Sequence, residues 1–516
     1  MKDFLNEYGY PLELMKHDSS LWSNIEKFRF YSPNGAVFLI AYEVENEDVS
    51  DVSSIYEKTK QEGDEYCSLI LVCNNGNFKC YSKNLKNRQY ILLKEMVPYS
   101  NNRALNIAQP TTKIESNRFE NVFFEAHSFL RDLDGLHPDE ALDELCKLIY
   151  AKMYDEESGA NIFSSTVGNI EEYAASIRYL YSMANKYDVR VYALKIPGYK
   201  RSRGVFEESL FISSNAIAKA GQLFAKYNFS SADIDFKARA FQNVYKPATR
   251  AGMGQYFTPL QVIRFIVFCM APSLSDLIID PFAGSAHFLT ESLSYVLPLA
   301  QNEKVKNEFV FYKLHGIEKS ERMVRIAMTD MRLHGDGHSN IRCTDALLSF
   351  DSYTDLSSNS FDIVMTNPPF GSVLQKESYS YLGDFELLKG KAKVPLEVLG
   401  LERSIQLLRD GGRIAIILPE SIFVNKSYAY VRTWLRKNVK IRGIISLPLS
   451  TFAPFGANIK TSILIATKTK ALADYEIFTG VIEDIGFDSK GNDTKSPDWR
   501  VVADAFKSFI DKEGWQ

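Results

Sequence analysis

From about residue 251 to 468, short apolar runs alternate with segments of helical period. The stretches 277–280, 312–317, 340–343, 361–366, 413–418, 441–447 and 461–467 have the length and apolar content of buried strands. Between them, 285–296, 322–333 and 396–408 place apolar residues three and four apart, as helices do. This alternation predicts an α/β fold with a doubly wound sheet and helices on both faces. Such a sheet binds ligands beyond the carboxyl ends of its strands, so the loops there are the places to look for chemistry.

Residues 1–97 read as a small α/β module. The runs 35–44 (GAVFLIAYEV) and 67–73 (CSLILVC) predict strands, and Asn74-Asn75-Gly76-Asn77 predicts a hairpin turn before a return strand at 78–81. Residues 98–117 form a polar, asparagine-rich linker with Pro98 and Pro110. The segment 118–250 is helical by pattern: Phe124, Phe129 and Leu130 open one apolar face, and Leu142, Leu145, Leu148 and Ile149 continue in the next element. His137-Pro138-Asp139-Glu140 marks a helix start, which makes His137 a capping residue rather than a ligand. The tail, 469–516, is acidic and turn-rich and ends in an amphipathic helix around 499–510.

Composition adds limits. A chain of 516 residues with 45% hydrophobic and 24% charged residues suits a soluble protein of two to four domains. No apolar run approaches the roughly 20 residues that span a bilayer, and the N-terminus is no signal peptide. The six cysteines form no C-x-x-C pair, and Cys67, Cys73 and Cys80 fall on predicted strands. Core thiols, a reducing cytoplasm and no structural zinc are expected. The net charge of −4 argues against a protein that binds nucleic acid alone. Yet 236–270 carries Lys237, Arg239, Lys246, Arg250 and Arg264 and no acid, a stretch able to meet phosphates. Lys195, Lys200, Arg201 and Arg203 form a second cluster, read equally as a phosphate contact or a solvated loop.

The predicted strand 361–366 runs directly into Asn367-Pro368-Pro369-Phe370. Two prolines make the turn rigid. The Asn367 amide oxygen and the Pro368 carbonyl can accept from an exocyclic amine, and Phe370 can stack on the planar base that carries it. The plain alternative is a proline turn at a strand end. After the first strand comes Asp280-Pro281-Phe282-Ala283-Gly284-Ser285-Ala286-His287-Phe288, whose small residues allow close backbone approach to a ligand. Glu318 follows the second strand, placed to accept from ribose hydroxyls, and Asp345 follows the third, placed to accept from an adenine amine. Each acid alone reads as a surface carboxylate. Three at successive strand ends, with the tetrapeptide at the fourth, point to a bound nucleoside. Upstream, Gly252-Met253-Gly254-Gln255-Tyr256-Phe257-Thr258-Pro259 reads locally as a helix start, with Thr258 as cap and Pro259 in the first turn.

These motifs resemble those of S-adenosylmethionine-dependent amino-methyltransferases. Their order, cofactor loop before NPPF, resembles the modification (methylase) subunits of type I restriction systems and kindred fused N6-adenine DNA methyltransferases. The resemblance covers about 235–468, and 118–234 and 469–516 more loosely. It implies a Rossmann-like methyltransferase domain at 251–468, preceded by a helical domain and the small α/β module. It implies S-adenosyl-L-methionine as cofactor, held by Gln255, Tyr256, Phe257, Thr258, Asp280, Gly284, Ser285, Glu318 and Asp345. Catalysis would fall to Asn367, Pro368, Pro369 and Phe370, without a metal. One position departs from the family's D-P-x-x-G-S-G-x-F: Ala286 stands where glycine is usual, so its methyl group would crowd the cofactor or demand an unusual backbone angle. The front module resembles the nuclease-like domain of type I subunits in degenerate form. Glu43-Val44-Glu45 lacks the lysine that such a metal site needs, so no nuclease activity is expected.

The resemblance makes DNA the substrate and methylation of adenine N6 the reaction. N4-cytosine methylation, or methylation of RNA or of a protein glutamine, uses related tetrapeptides and stays open. So does a non-catalytic cofactor- or DNA-binding scaffold. No target-recognition domain is evident after residue 470, which implies a separate specificity subunit. A restriction subunit is left open.

Overall fold

A computed structural model describes residues 1–44, 52–96, 116–195, 209–230 and 258–515, together with 240, 241 and 244. Left out inside those spans are 9, 11, 23–24, 33–34, 62, 68, 84–88, 95, 166–168, 336–339, 354, 377–379, 381, 456–457, 471–473 and 491. The chain divides into two units: Met1–Lys195 with Phe206–Ala248, and Ile196–Val205 with Thr249–Gln516.

The first unit holds a sheet of β1 (Met15–Trp22), β2 (Ile25–Tyr31), β3 (Val37–Val44), β4 (Leu69–Asn74), β5 (Asn77–Lys83) and β6 (Tyr90–Leu92), side by side in chain order. Only β3 and β4 pair in parallel. The β4–β5 hairpin turns on Asn75 and Gly76, both at positive φ (49° and 81°), the pattern a tight two-residue turn requires. The sequence pattern did not disclose β1 and β2. The physical reason lies in β2, where Lys27 and Arg29 occupy buried positions and break the apolar signal. Both are neutralised by the fully buried Asp64. Arg29 Nε donates to Asp64 Oδ1 at 2.7 Å, and Lys27 Nζ donates to the other oxygen and, at 2.7 Å, to the Thr59 carbonyl. An unpaired charge at that depth would cost several kcal/mol.

Helices Ser116–Asp134, Pro138–Ser158, Ile170–Lys195 and Ser214–Ala225 supply the helical part, and Ile170–Lys195 packs on β3. His137 is the N-cap of Pro138–Ser158, and Glu140 Oε2 accepts its backbone N–H at 3.2 Å. Glu43 sits 3.7 Å from the N-terminal ammonium group, while Glu45 lies outside the described residues. All six cysteines are free. Among the described residues no acidic, histidine or cysteine cluster could hold a metal, and no helix is long and apolar enough to cross a membrane.

The second unit holds β7 (Ile278–Asp280), β8 (Leu314–Glu318), β9 (Ile341–Cys343), β10 (Phe361–Thr366), β11 (Val373–Gln375), β12 (Lys393–Pro395), β13 (Leu408–Pro419), β14 (Lys440–Ser446), β15 (Thr461–Thr467) and β16 (Phe478–Val481). The main sheet has the order β16-β14-β15-β13-β10-β7-β8-β9, and β11 and β12 form a separate hairpin. β9, β8, β7, β10 and β13 run parallel, and β15 runs antiparallel between β13 and β14. The expected strand at 312–317 begins only at Leu314, because helix Glu303–Tyr312 runs up to it. β16, which the pattern did not signal, adds a parallel edge beside β14. Val364 on β10, Ile414 and Ile416 on β13 and Leu464 on β15 pack with Val398, Leu401 and Ile405 of helix Leu396–Leu407 in one buried core.

The chain lays down β7, β8 and β9 toward one edge, then returns to place β10 on the other side of β7. The winding therefore reverses between β7 and β10. A crevice opens at such a point, beyond the carboxyl ends of the two strands.

Candidate active site

The ends of β7 and β10 are tied together. Asp280 closes β7, Thr366 closes β10, and the Thr366 hydroxyl donates to Asp280 Oδ1 at 2.6 Å. The same oxygen accepts the Phe282 N–H at 3.0 Å, which shapes the loop that follows. Asp280 is only 1% exposed. Burial pushes its carboxyl up to about 7, against the two hydrogen bonds, which favour the ionised form; the nearby Glu318 adds to the rise.

At the end of β8, Glu318 is 8% exposed and spans two backbone donors. Its Oε2 accepts from Gly284 N at 3.0 Å and its Oε1 from Ser320 N at 2.8 Å. Burial raises its pKa, and these N–H bonds oppose the rise. Glu318 thus links the loop after β7 to the loop after β8, and each carboxylate oxygen keeps a second lone pair for a ligand. Asp345, two residues beyond β9, accepts from Leu347 N at 3.0 Å and from Lys319 Nζ at 2.9 Å.

Asn367 follows β10 directly. Its Nδ2 donates to Thr258 Oγ1 at 3.0 Å, a contact across 109 residues of sequence. This corrects the expected cap: helix Leu260–Met270 takes Pro259 as its N-cap, with no side-chain cap bond, because the Thr258 hydroxyl is turned to the amide. With the NH2 end held, the oxygen is the free end. Asn367 Oδ1 is buried and has no hydrogen-bond partner among the described residues.

Phe370 is buried and meets Phe452 edge to face, with ring centres 6.2 Å apart and planes at 89°. Helix Leu396–Leu407 presses on the turn from below through Gly400. A Cβ there would stand 2.7 Å from Pro368 Cβ and 3.1 Å from the Phe282 ring. Sequence reasoning did not single out Thr366, Gly400 or Phe452. Only the glycine, alone within a helical pattern, carried any signal.

The predicted residues that are described come together. Asp280, Gly284, Ser285, Glu318 and Asp345 line the same cavity as Thr258, Asn367, Pro368, Pro369 and Phe370, and its volume is about 320 Å³. Gln255, Tyr256 and Phe257 lie outside the described residues, as do Lys237, Arg239, Lys246 and Arg250 and the side chains of the 195–203 cluster. Phe282, Ile317 and Leu347 supply apolar wall. A Cβ on Gly284, at φ 51°, would meet nothing within 4 Å, so the loop backbone is open to a ligand. Apolar walls for a flat ring and carboxylates for hydroxyl and amine donors fit an adenosine group. Ala286 takes up the left-handed backbone that glycine would adopt (φ 63°, ψ 22°). Its methyl is fully buried, and Ala286 is not among the residues lining the cavity.

This sheet order, with a small-residue loop after β7 and acids after β8 and β9, defines a Rossmann-like methyltransferase domain preceded by a sheet-and-helix unit. The chain belongs to the N-6 DNA Methylase family, which it matches over residues 240–516. It is 27% identical over 297 residues to the Type I restriction enzyme EcoEI methylase subunit of Escherichia coli, a match covering 55% of this chain and 59% of that protein. It is 24% identical over 233 residues to the Type II restriction enzyme and methyltransferase RM.BcgI of Heyndrickxia coagulans, covering 44% of this chain and 34% of that protein. The chain thus spans only part of the length of each of these relatives. Two solved structures share its fold. One comes from a study of complex assembly and conformational transition in the type I R-M system (TM-score 0.59, 18% identity, 78% of this chain and 85% of that one). The other is the type I restriction-modification system methyltransferase subunit from Streptococcus thermophilus (TM-score 0.53, 16% identity, 77% and 94%).

Proposed function

We propose that this chain transfers a methyl group from S-adenosyl-L-methionine to N6 of adenine in DNA, as the modification component of a restriction-modification system. The observation that carries the reading is Asn367, with its amide nitrogen held by Thr258 and its oxygen buried and unmatched, in one cavity with Glu318 and Asp345.

S-adenosyl-L-methionine supplies an electrophilic methyl group. Gly284 and Ser285 would take its amino-acid end, Glu318 its ribose and Asp345 its adenine amine, with Asp280 bracing the loop and Gln255, Tyr256 and Phe257 closing over it. The target amine is a poor nucleophile because its lone pair is delocalised into the ring. Asn367 Oδ1 and the Pro368 carbonyl accept its two N–H bonds, draw the nitrogen toward tetrahedral geometry and aim the lone pair. Pro369 keeps the turn rigid, and Phe370, backed by Phe452, stacks on the base. No strong base is needed first, because the proton becomes acidic only as the nitrogen gains positive charge. Orientation and fixed dipoles carry the rate. A base reaches such a pocket only when swung out of the duplex.

An amide acceptor serves any exocyclic amine, so N4 of cytosine is the second reading. On the first reading 251–468 is the catalytic domain, while 118–250 and 469–516 are docking segments for a separate specificity subunit that reads bases in a groove. A restriction subunit would be a further partner, the 1–97 module is without nuclease activity, and a DNA substrate implies a cytoplasmic location. The test is to express the gene with its neighbouring genes in a host free of adenine methylation and digest the DNA to nucleosides. N6-methyladenine is the expected product. N4-methylcytosine selects the second reading, and neither product, with cofactor binding intact by calorimetry, leaves a non-catalytic scaffold.

A further inference from the structure

The hairpin of β11 and β12 stands at the mouth of the cavity. It begins three residues after Phe370, across Gly371 at φ 77°, and its Leu374 lines the cavity with the adjoining Ser372 and Leu396. The strands pair antiparallel through Leu374↔Val394 and Gln375↔Lys393, and Lys376 N donates to the Ala392 carbonyl at 3.0 Å. Leu374 and Val394 therefore share one face, and Gln375 and Lys393 the other. Val394 is fully buried, so the hairpin is anchored on that side.

Four lysines, Lys376, Lys389, Lys391 and Lys393, lie on this hairpin and its connection. Lys376, Lys389 and Lys393 are exposed, and none of the four has an ion-pair partner among the described residues. Lys391 is half-buried, with its Nζ 3.9 Å from the centre of the Tyr430 ring. The same connection carries the exposed acids Asp384 and Glu386, of which Glu386 accepts from Trp434 Nε1 at 2.7 Å. Exposed Lys376, Lys389 and Lys393, with Lys391, outnumber the acids Glu377, Asp384 and Glu386 of the same stretch and give the anchored hairpin a positive excess.

We propose that this hairpin clamps the phosphates of the polynucleotide whose base enters the cavity. The inference rests on the reading that the cavity takes a base from DNA. A base that swings inward stays bonded to its sugar, and so brings its flanking phosphates to the rim beside Ser372 and Leu374. Lysines on flexible stems suit contacts of this kind, which position the strand without reading sequence. The basic stretch 236–270 is not needed for this role, so binding would survive its neutralisation in part.

The test compares the full chain with Lys376→Gln/Lys389→Gln/Lys393→Gln and with a control that changes the exposed Lys304, Lys490 and Lys495. Affinity for a fluorescent duplex is followed by anisotropy over a salt series, and S-adenosyl-L-methionine binding by calorimetry. The hairpin variant should bind DNA more weakly and lose roughly 2–3 from the slope of log affinity against log salt, about 0.9 per released contact. Cofactor binding should be unchanged, and the control should keep the wild-type slope. An unchanged slope in the hairpin variant overturns the clamp while leaving the DNA reading intact. Equal loss in the control overturns it as well, since total charge would then suffice. A wild-type chain that binds no DNA overturns both.

Discussion

Asn367 Nδ2 and Thr258 Oγ1 lie 3.0 Å apart, a bond that holds the amide nitrogen and leaves its oxygen buried without a partner among the described residues. Without it the side chain could present its NH2 group to another amine. Thr258→Val should therefore lower kcat about 3- to 10-fold, the worth of one neutral hydrogen bond of 0.5–1.5 kcal/mol. Thr258→Ser should restore it. A valine variant with wild-type kcat would mean that something else holds the amide.

Removing the acceptor itself should cost more. Asn367→Ala is expected to reduce methyl transfer by at least ~10²-fold, the scale for loss of one fixed electrostatic group. Calorimetry should find cofactor affinity retained. Near-normal methylation would remove Asn367 from the chemistry.

Glu318 bridges two loops and is assigned to the ribose. Glu318→Ala should weaken S-adenosyl-L-methionine binding by roughly 1.5–3 kcal/mol, the range for a hydrogen bond to a charged group. Glu318→Gln, which keeps one oxygen acceptor, should lose less. Equal affinity in wild type and alanine variant would place the ribose elsewhere.

Asp280 gives a pH dependence with a defined sign. Its folded pKa is about 7, raised by burial from an ordinary 3.8. Across that window the folded state holds a proton that the unfolded chain has released. Stability of the second unit should thus fall as pH rises toward 7 and level off above it. Glu318, also raised by burial, acts in the same direction. Asp280→Asn should flatten the trend in urea midpoints measured from about pH 5 to about pH 8. An identical trend in the variant would show that Asp280 ionises like a free aspartate.

Gly400 lets helix Leu396–Leu407 touch the turn at Pro368. Gly400→Ala adds a methyl 2.7 Å from Pro368 Cβ, closer than two carbons can approach. Overpacking of this kind costs about 1–3 kcal/mol, more than the gain of up to ~1 kcal/mol in helix propensity. We expect a lower melting temperature and a lower kcat. Higher stability with full activity would mean that the turn yields freely.

Much of the site was legible because its signals are local. A short apolar run followed by two prolines marks β10 and its turn, and a similar run, Leu277-Ile278-Ile279, precedes Asp280, while polar residues interrupt the stretches before Glu318 and Asp345. Thr258 was read as a cap because its partner, Asn367, is distant in sequence. Thr366 looked like the last residue of a strand, and its bond to Asp280 exists only because β7 and β10 are neighbours. β2 was hidden by Lys27 and Arg29, whose burial depends on Asp64. β16 is short, with side chains at most half-buried, so no apolar run announces it.

On the proposed reading the unmatched oxygen of Asn367 also sorts what enters. A base with a carbonyl at this position would bring lone pair against lone pair and leave the buried acceptor unmet, at a cost of about 1–3 kcal/mol. Thymine, which has no exocyclic amine, is disfavoured on that ground alone, roughly 5- to 160-fold, whatever its size. Adenine, cytosine and guanine each carry an exocyclic amine able to meet the acceptor. One side chain thus sets thymine apart from the other three bases, and the choice among those falls to the walls of the cavity.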